Sequence, residues 1–207
     1  MDFPRTCGIV LAGGESRRMG RDKALVCHNG TTMIERAVEA LQHVTIRTIV
    51  VASTSDKYCV PGAEVIPDLY PGAGPVGGIV TGLTAAGPGC HLVLACDMPA
   101  VKEAILNRLL EAAQDYRKCD AAVPEIGGEL EPLCAAYRDT AAPKLAAFME
   151  SGRRSAREAM KRLSIIKIPE EELQLLDPDL STFININTPD DLAALNDQRN
   201  QHQTPNT

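Results

Sequence analysis

The sequence has 207 residues, a length typical of a single domain with a full hydrophobic core. Aromatic residues make up 3% of the chain, so we expect a core of aliphatic side chains, as in sheets that are buried on both faces. The formal net charge of −6 argues against non-specific binding to nucleic acid, which requires a basic surface. The chain has no apolar run of about twenty residues and no signal-peptide pattern, so no membrane association is expected.

Seven cysteines are present, and no two of them have the C-x-x-C spacing of zinc or redox sites. Several lie within apolar runs, where cysteine behaves as a small buried hydrophobic residue. We therefore predict reduced, structural thiols and a cytoplasmic protein.

The first half of the chain alternates apolar runs with helical patterns. Strands are predicted at Cys7–Leu11, Ile46–Ala52, Glu64–Ile66 and His91–Ala95. A helix is predicted over Thr31–Gln42, where Thr32 and Glu35 fit a capping box, and another over Ile79–Ala86. Strands that alternate with helices are typical of a parallel sheet.

The second half continues this alternation. Helices are predicted around Val101, Ile105, Leu109 and Ala113, over Ala141–Glu150 and Ser155–Leu163, and from an N-cap at Thr188. Strands are predicted at Ala121–Val123, Leu133–Tyr137, Ile165–Ile168 and Phe183–Ile186. We therefore predict one three-layer α/β/α domain with a Rossmann-like, mainly parallel sheet over residues 1–196, followed by a disordered tail at 197–207.

A segment rich in glycine and basic residues, from Leu11 to Lys23, directly follows the first predicted strand. Ligands of open parallel sheets bind beyond the carboxyl ends of the strands. Two adjacent glycines let backbone N–H groups approach phosphate oxygens, and Arg17, Arg18 and Lys23 can offset phosphate charge. The segment predicts a phosphate-binding loop; the alternative is a glycine turn whose charges are only solvated.

Spacing excludes two other phosphate-binding loops. A Walker A loop requires Gly-Lys-Ser/Thr in succession, but Gly20 is followed by Arg-Asp-Lys. The dinucleotide motif G-x-G-x-x-G does not fit glycines at positions 13, 14 and 20.

The segment resembles the L-A-G-G-x-S-x-R-M-G-x-D-K signature of the molybdenum cofactor guanylyltransferase family, a branch of the nucleoside-triphosphate transferases. The resemblance runs in order from about Gly8 to Leu195 and implies a fold of the nucleotide-diphospho-sugar transferase type. It implies nucleotide binding by Leu11, Ala12, Gly13, Gly14, Lys23, Ser53, Asp68, Gly77 and Asp97. It also implies catalytic roles for Arg18, Lys23 and Asp97.

Asp97 follows a predicted strand, in the sequence Asp-Met-Pro. An aspartate at such a place is commonly a helix cap, but the family carries D-x-P here, with the aspartate as a Mg2+ ligand. The family also has counterparts of Asp68 and of the loop from Gly74 to Gly78, which by itself would indicate only a glycine–proline turn. Mg2+ is therefore the expected cofactor.

The resemblance places Asn185 and Asn187 near the pterin substrate or the metal, and it places Arg153 and Arg154 in the region that meets the pterin. The helix start at Thr188 does not explain the two asparagines. The basic stretch 153–162 fits either a site that steers the pterin phosphate or a solvated helix face.

Two positions bear on the choice of nucleotide. Ser53 stands where relatives often carry Asn, which is a departure from the family pattern at a position where the resemblance implies contact with the nucleotide. Gly13 stands where cytidylyltransferase relatives carry Ala, and the missing Cβ leaves room for the larger guanine base. This favours GTP over CTP.

The resemblance implies that the terminal phosphate of molybdopterin attacks the α-phosphorus of Mg·GTP and expels pyrophosphate, which forms molybdopterin guanine dinucleotide. An ionised phosphate needs no strong base, which fits the lack of an obvious catalytic histidine. The alternatives are a CTP-dependent molybdopterin cytidylyltransferase, a transferase with another phosphorylated acceptor, and a non-catalytic GTP-binding regulator. The implied partners are GTP, molybdopterin, other molybdenum cofactor biosynthesis proteins and recipient molybdoenzymes.

Overall fold

A computed structural model describes residues 6–13, 22–28, 30–115, 119–186 and 191. The strands within these ranges are β1 (Cys7–Leu11), β2 (Cys27–His28), β3 (Thr31–Thr32), β4 (Arg47–Ala52), β5 (Glu64–Pro67), β6 (Cys90–Ala95), β7 (Ala121–Ile126), β8 (Glu129–Leu130), β9 (Cys134–Arg138) and β10 (Ile165–Pro169). The helices are α1 (Met33–Gln42), α2 (Pro75–Ala86), α3 (Glu103–Asp115), α4 (Ala141–Glu150), α5 (Ala156–Ala159) and α6 (Glu170–Gln174).

The central sheet has the strand order β10-β7-β9-β6-β1-β4-β5, and β8 pairs with β7 beside this path. β1 is parallel to both of its neighbours, β4 and β6. β5 pairs in parallel with β4, and β10 pairs in parallel with β7, whereas β9 runs antiparallel between β6 and β7. The strands β2 and β3 form a separate antiparallel hairpin.

Helices cover both faces of this sheet. Apolar side chains of α1, α3 and α6 pack on one face, and those of α2, α4 and α5 pack on the other. Strands covered on both sides read as continuous apolar runs, which is why β1, β4 and β6 are recognisable from the sequence. The predicted three-layer fold with a mainly parallel sheet is confirmed. None of the helices in the described ranges has the length and apolar character needed to cross a bilayer.

The capping box predicted for α1 is present. Glu35 N donates to Thr32 Oγ1 over 3.3 Å, and Thr32 N donates to Glu35 Oε2 over 2.8 Å. These bonds satisfy two donors at the start of the helix, which therefore begins at Met33 rather than at Thr31.

One predicted strand is wrong. The segment Phe183–Ile186 does not join the sheet: Ser181–Phe183 forms a 3-10 turn that follows Leu180, whose φ is 49°. Ile186 N then donates to the carbonyl oxygen of Asp97 over 2.9 Å. Ile186 packs with Val26 and Met33 beside Ala100 of the loop after β6, whereas Ile184 is exposed, so the segment does not extend the sheet. The helix predicted from Thr188 lies, except for residue 191, outside the described residues, as does the predicted tail.

Other boundaries differ from the predictions by a few residues. α2 begins at Pro75, four residues before Ile79, because a proline is well suited to the first turn of a helix. Ser155 caps α5, and the predicted helix continues after Ala159 only as a 3-10 turn. The sequence patterns did not predict the short strands β2, β3 and β8 or the helix α6. All seven cysteines carry free thiols, and four of them are buried.

His91 is fully buried in the uncharged form between β1 and α2. Its Nδ1 accepts a hydrogen bond from Cys7 N over 3.2 Å, and its Nε2 donates to the carbonyl oxygen of Gly87 over 2.9 Å. Burial lowers the pKa of His91, against the opposing effects of Gly87 and Asp139. The ring therefore resists protonation in the folded state.

We expect the free energy of unfolding to fall as the pH decreases below about 6.5, the ordinary pKa of histidine. In that range the unfolded chain binds a proton that the folded chain does not bind, so protonation favours unfolding. Urea denaturation at about pH 7.5 and about pH 5.5 measures the effect. A His91→Gln variant should be less stable at both pH values but less sensitive to pH; an equal sensitivity would contradict the role of this ring.

Candidate active site

A cleft of about 1050 Å3 opens at the carboxyl ends of β1, β4 and β6. The parallel register aligns Leu11 with Val51 on one side and with Ala95 on the other. The connection after β1 leads to β4 on one side of it, whereas the connection after β6 leads to β7 on the other side. Open α/β sheets bind ligands at such a point. The residues that follow these three strand ends therefore face a common space.

Most of the predicted nucleotide-binding residues that the structure describes line this cleft. They are Leu11, Ala12, Gly13, Lys23, Ser53, Asp68 and Asp97. Gly77 lies beside the cleft: a Cβ on it would come within 3.0 Å of the Tyr70 carbonyl oxygen, so its lack of a side chain permits the close approach of that loop to α2. Gly14 and Arg18 lie outside the described residues.

Lys23 and Asp97 form an ion pair in the lining of the cleft. The 3-10 turn Lys23–Leu25 carries the lysine, whose Nζ lies 3.6 Å from Oδ2 of Asp97. Each of these side chains is 23% exposed. Burial raises the pKa of Asp97, and the neighbouring Lys23 offsets only part of this effect. The cleft thus holds a carboxylate whose charge is incompletely stabilised by the protein.

Asp22 fixes the turn that carries Lys23. Its Oδ1 accepts a hydrogen bond from Ala24 N over 3.1 Å, which caps the turn. Its Oδ2 lies 2.8 Å from the Tyr58 hydroxyl and 3.0 Å from Lys57 Nζ. Burial opposes ionisation of Asp22, but the hydrogen bonds from Tyr58 and Lys57 prevail and lower its pKa. Asp22 is therefore ionised at neutral pH.

Asp68 is fixed by a second set of hydrogen bonds. Its Oδ1 accepts from Thr81 Oγ1 over 2.8 Å and from Tyr70 N over 3.0 Å. Thr81 is buried in α2, and its Oγ1 also accepts from Leu69 N over 3.1 Å. These contacts join the loop after β5 to α2 and hold the Asp68 carboxylate at the cleft.

The residues that line this cleft lie within a part of the chain that matches a known family. The family described as the MobA-like NTP transferase domain matches residues 8–166. The chain belongs to this family. The resemblance that the signature predicted is thereby confirmed.

Relatives in the MobA-like NTP transferase family match nearly the whole chain. A molybdenum cofactor guanylyltransferase from Desulfosudis oleivorans is 36% identical over 186 residues, which cover 89% of this chain and 91% of the relative. Among solved structures, molybdopterin-guanine dinucleotide biosynthesis protein A from Archaeoglobus fulgidus has a TM-score of 0.81 at 33% identity and covers 94% of this chain and 99% of its own. The 2-C-methyl-D-erythritol 4-phosphate cytidylyltransferase from Thermus thermophilus, with a TM-score of 0.69 at 17% identity over 93% of this chain and 98% of its own, shares the fold.

Unlike most of the predicted nucleotide-binding residues, the described residues that were predicted to bind the acceptor do not line the cleft. Asn185 precedes Ile186, whose N–H bonds the Asp97 carbonyl, so this segment passes next to the cleft. Arg153 is exposed and lies 3.3 Å from Glu158. The backbone of Arg154 approaches Gly74 at the cleft margin: a Cβ added to Gly74 would lie 3.4 Å from the carbonyl oxygen of Arg154. Asn187 lies outside the described residues.

The donor groups fit a metal ion that is bound together with a nucleotide. Asp97 offers one partly buried carboxylate, and the described residues contain no cluster of three His, Cys, Asp or Glu side chains that could hold a metal alone. Mg2+ is commonly held by one or two carboxylates and by the phosphates of a substrate. The site is therefore compatible with a divalent cation that enters with a nucleoside triphosphate.

Lys57 and Tyr58 were not predicted as site residues. Lys57 lines the cleft, and Tyr58 lies behind it in contact with Ala12 and Asp22. The signal available in the sequence was their position: they follow β4, which neighbours β1, and loops at the carboxyl ends of neighbouring parallel strands converge.

Proposed function

We propose that the chain transfers GMP from Mg·GTP to the terminal phosphate of molybdopterin, releases pyrophosphate and forms molybdopterin guanine dinucleotide. The observation that carries the proposal is the pair formed by Lys23 and Asp97 in the cleft at the end of β1. The names of the guanylyltransferase relatives, which match along almost the entire chain, support it. Asp97 is proposed to hold Mg2+.

In the proposed reaction, a phosphate oxygen of the acceptor forms a bond to the α-phosphorus of GTP. The bond from this phosphorus to the bridging oxygen breaks, and both electrons leave with pyrophosphate. Backbone N–H groups at the end of β1 orient the triphosphate, and Lys23 stabilises the negative charge that shifts to the leaving group. When bound, Mg2+ would neutralise phosphate charge and polarise the α-phosphate.

The remaining site roles complete this proposal. Arg18 is proposed to offset triphosphate charge, and Ser53 and Asp68 to contact the nucleoside. Asn185, Asn187, Arg153 and Arg154 are proposed to bind molybdopterin. We further propose that the protein acts in the cytoplasm and exchanges its substrate and product with other molybdenum cofactor biosynthesis proteins and recipient molybdoenzymes.

Pyrophosphate release by the purified chain tests the proposal. The assay contains Mg2+ and either GTP or CTP, each with and without molybdopterin. Release that requires both GTP and molybdopterin is the expected result. Release with CTP instead would indicate the cytidylyltransferase alternative, and GTP binding without any release would indicate another acceptor or a non-catalytic regulator.

A Gly13→Ala variant tests the choice between the two nucleotides. A Cβ on Gly13 would meet no atom within 4 Å, so the fold should tolerate alanine, and the added methyl group would project into the space of the bound nucleotide. We expect the preference for GTP over CTP, measured as a ratio of kcat/KM values, to fall by about tenfold or more. An unchanged ratio in a variant of normal thermal stability would show that Gly13 does not select the base.

A further inference from the structure

One buried side chain contacts both ends of the glycine-rich segment. Tyr58 is 6% exposed, and its hydroxyl oxygen lies 3.2 Å from the carbonyl oxygen of Ala12 and 2.8 Å from Oδ2 of Asp22. Ala12 directly follows β1, and Asp22 directly precedes Lys23. A residue from the loop after β4 thereby connects the chain on either side of residues 13–21.

The charges of these groups determine the direction of the hydrogen bond. Burial and the neighbouring Asp22 raise the pKa of Tyr58, so the phenol keeps its proton. Asp22 is ionised and accepts the hydrogen bond of the phenol in the shorter of the two contacts, with the Ala12 carbonyl as the second acceptor. A hydrogen bond from a neutral donor to a charged acceptor is stronger than one between neutral groups.

The contact continues toward the cleft through Asp22. The same carboxylate caps the 3-10 turn Lys23–Leu25 through Ala24 N, and that turn carries Lys23 to within 3.6 Å of Asp97. Tyr58 itself does not line the cleft, whereas its neighbour Lys57 does. Any effect of the Tyr58 hydroxyl on a bound nucleotide must therefore be indirect.

We propose that Tyr58 is a positioning residue for nucleotide binding, which acts through Asp22 to hold the ammonium group of Lys23 in register with the end of β1. The inference rests on the proposed function, because it assumes that the cleft binds a nucleoside triphosphate. A misplacement of Lys23 would weaken its attraction to the phosphates without removing any group that contacts them.

The first test compares Tyr58→Phe with Tyr137→Phe. Tyr137 is also buried, and its hydroxyl donates to the carbonyl oxygen of Pro132 over 2.8 Å, so both variants lose one buried hydroxyl group. Calorimetric titration with GTP and Mg2+ should show affinity about tenfold weaker for Tyr58→Phe, since about 1.4 kcal/mol per factor of ten is the scale of one hydrogen bond to a charged group. Tyr137→Phe should change the affinity by less than about twofold at a similar loss of thermal stability.

The second test separates positioning from a general loss of stability. Tyr58→Phe is introduced into a Lys23→Ala background, and GTP affinity is measured again. If Tyr58 acts through Lys23, the two substitutions are coupled, and the second should weaken binding by less than about twofold more. If Tyr58→Phe weakened GTP binding only through a general loss of stability, the loss of affinity would be as large in the Lys23→Ala background as in the wild type.

The outcomes distinguish the inference from the proposed function. Tenfold weaker binding that disappears in the Lys23→Ala background supports the positioning role. Normal binding by Tyr58→Phe, or an effect of equal size in both backgrounds, overturns it while the proposed function stands. A wild-type chain that binds no GTP would overturn the proposed function and this inference together.

Discussion

Replacement of Asp97 by asparagine is expected to reduce turnover by about 10³-fold without disturbing the fold. The substitution keeps the size of the side chain but removes its negative charge from the cleft, directly after β6 and opposite Lys23. Pyrophosphate release at saturating GTP and molybdopterin measures the loss. Because the charge is proposed to hold Mg2+ against the triphosphate, additional Mg2+ should restore little of the activity.

The stability of the same variant should change in the opposite direction. Burial raises the pKa of Asp97 and Lys23 compensates only in part, so the ionised carboxylate costs free energy in the folded protein. An uncharged asparagine avoids this cost at neutral pH, and we expect a free energy of unfolding equal to or higher than that of the wild type. Urea denaturation without nucleotide measures it.

Asp179→Asn is the matched control for this prediction. Asp179 is exposed and outside the cleft, so the same chemical change there should leave both turnover and stability near wild-type values. Turnover by Asp97→Asn near the wild-type level would remove Asp97 from the proposed metal site. A large loss of stability would instead show that the charge supports the fold.

The parts of the fold that were predictable are those in which local sequence and burial agree. β1 and β6 are buried along their whole length and mostly apolar because helices cover both faces of the sheet, and the residues that follow them include a glycine and an aspartate. α1 carries its own N-cap and apolar face. The opposite direction of β9 was not predictable, because a buried antiparallel strand has the same apolar composition as a buried parallel one.

The candidate site was predictable only where a contiguous motif contains it. Lys23 and Asp97 belong to recognisable segments, and the structure brings them to 3.6 Å. Tyr58 reaches Asp22 across 36 positions of sequence, so no local pattern reveals the contact. Phe183–Ile186 failed for a related reason: its apolar residues satisfy the strand pattern, but a 3-10 turn and a bond to the loop after β6 decide its path.

The basic stretch 153–162 was interpreted either as a site that steers the pterin phosphate or as a solvated helix face, and its arginines differ in their tertiary contacts. Arg157 donates from its two terminal nitrogens to Glu129 and Glu131 over 2.7 Å each, which ties α5 to the hairpin of β7 and β8. Arg154 instead lies at the cleft margin beside Gly74. Within one short segment, therefore, one arginine has a structural partner while another is placed near the proposed acceptor site.

Replacement of Lys23 by alanine is expected to lower kcat/KM for GTP by about 10²-fold or more. The ammonium group lies in the cleft next to Asp97, where the triphosphate is proposed to bind, and its removal leaves charge on the leaving pyrophosphate less stabilised. Initial rates of pyrophosphate release at limiting GTP measure the change. Lys167→Ala, which removes an exposed lysine paired with Glu125 on the far side of the sheet, should leave kcat/KM unchanged.

The stability of Lys23→Ala separates it from Asp97→Asn, although both variants should lose activity. Without the ammonium group, the partly buried Asp97 carboxylate loses the cation that offsets its burial, so the free energy of unfolding at neutral pH should decrease. In the Lys23→Ala background the Asp97 carboxylate has lost this cation, so Asp97→Asn should raise the free energy of unfolding more there than in the wild type. Additive stability effects, or an unchanged kcat/KM in Lys23→Ala, would contradict the pairing of these residues as the centre of the site.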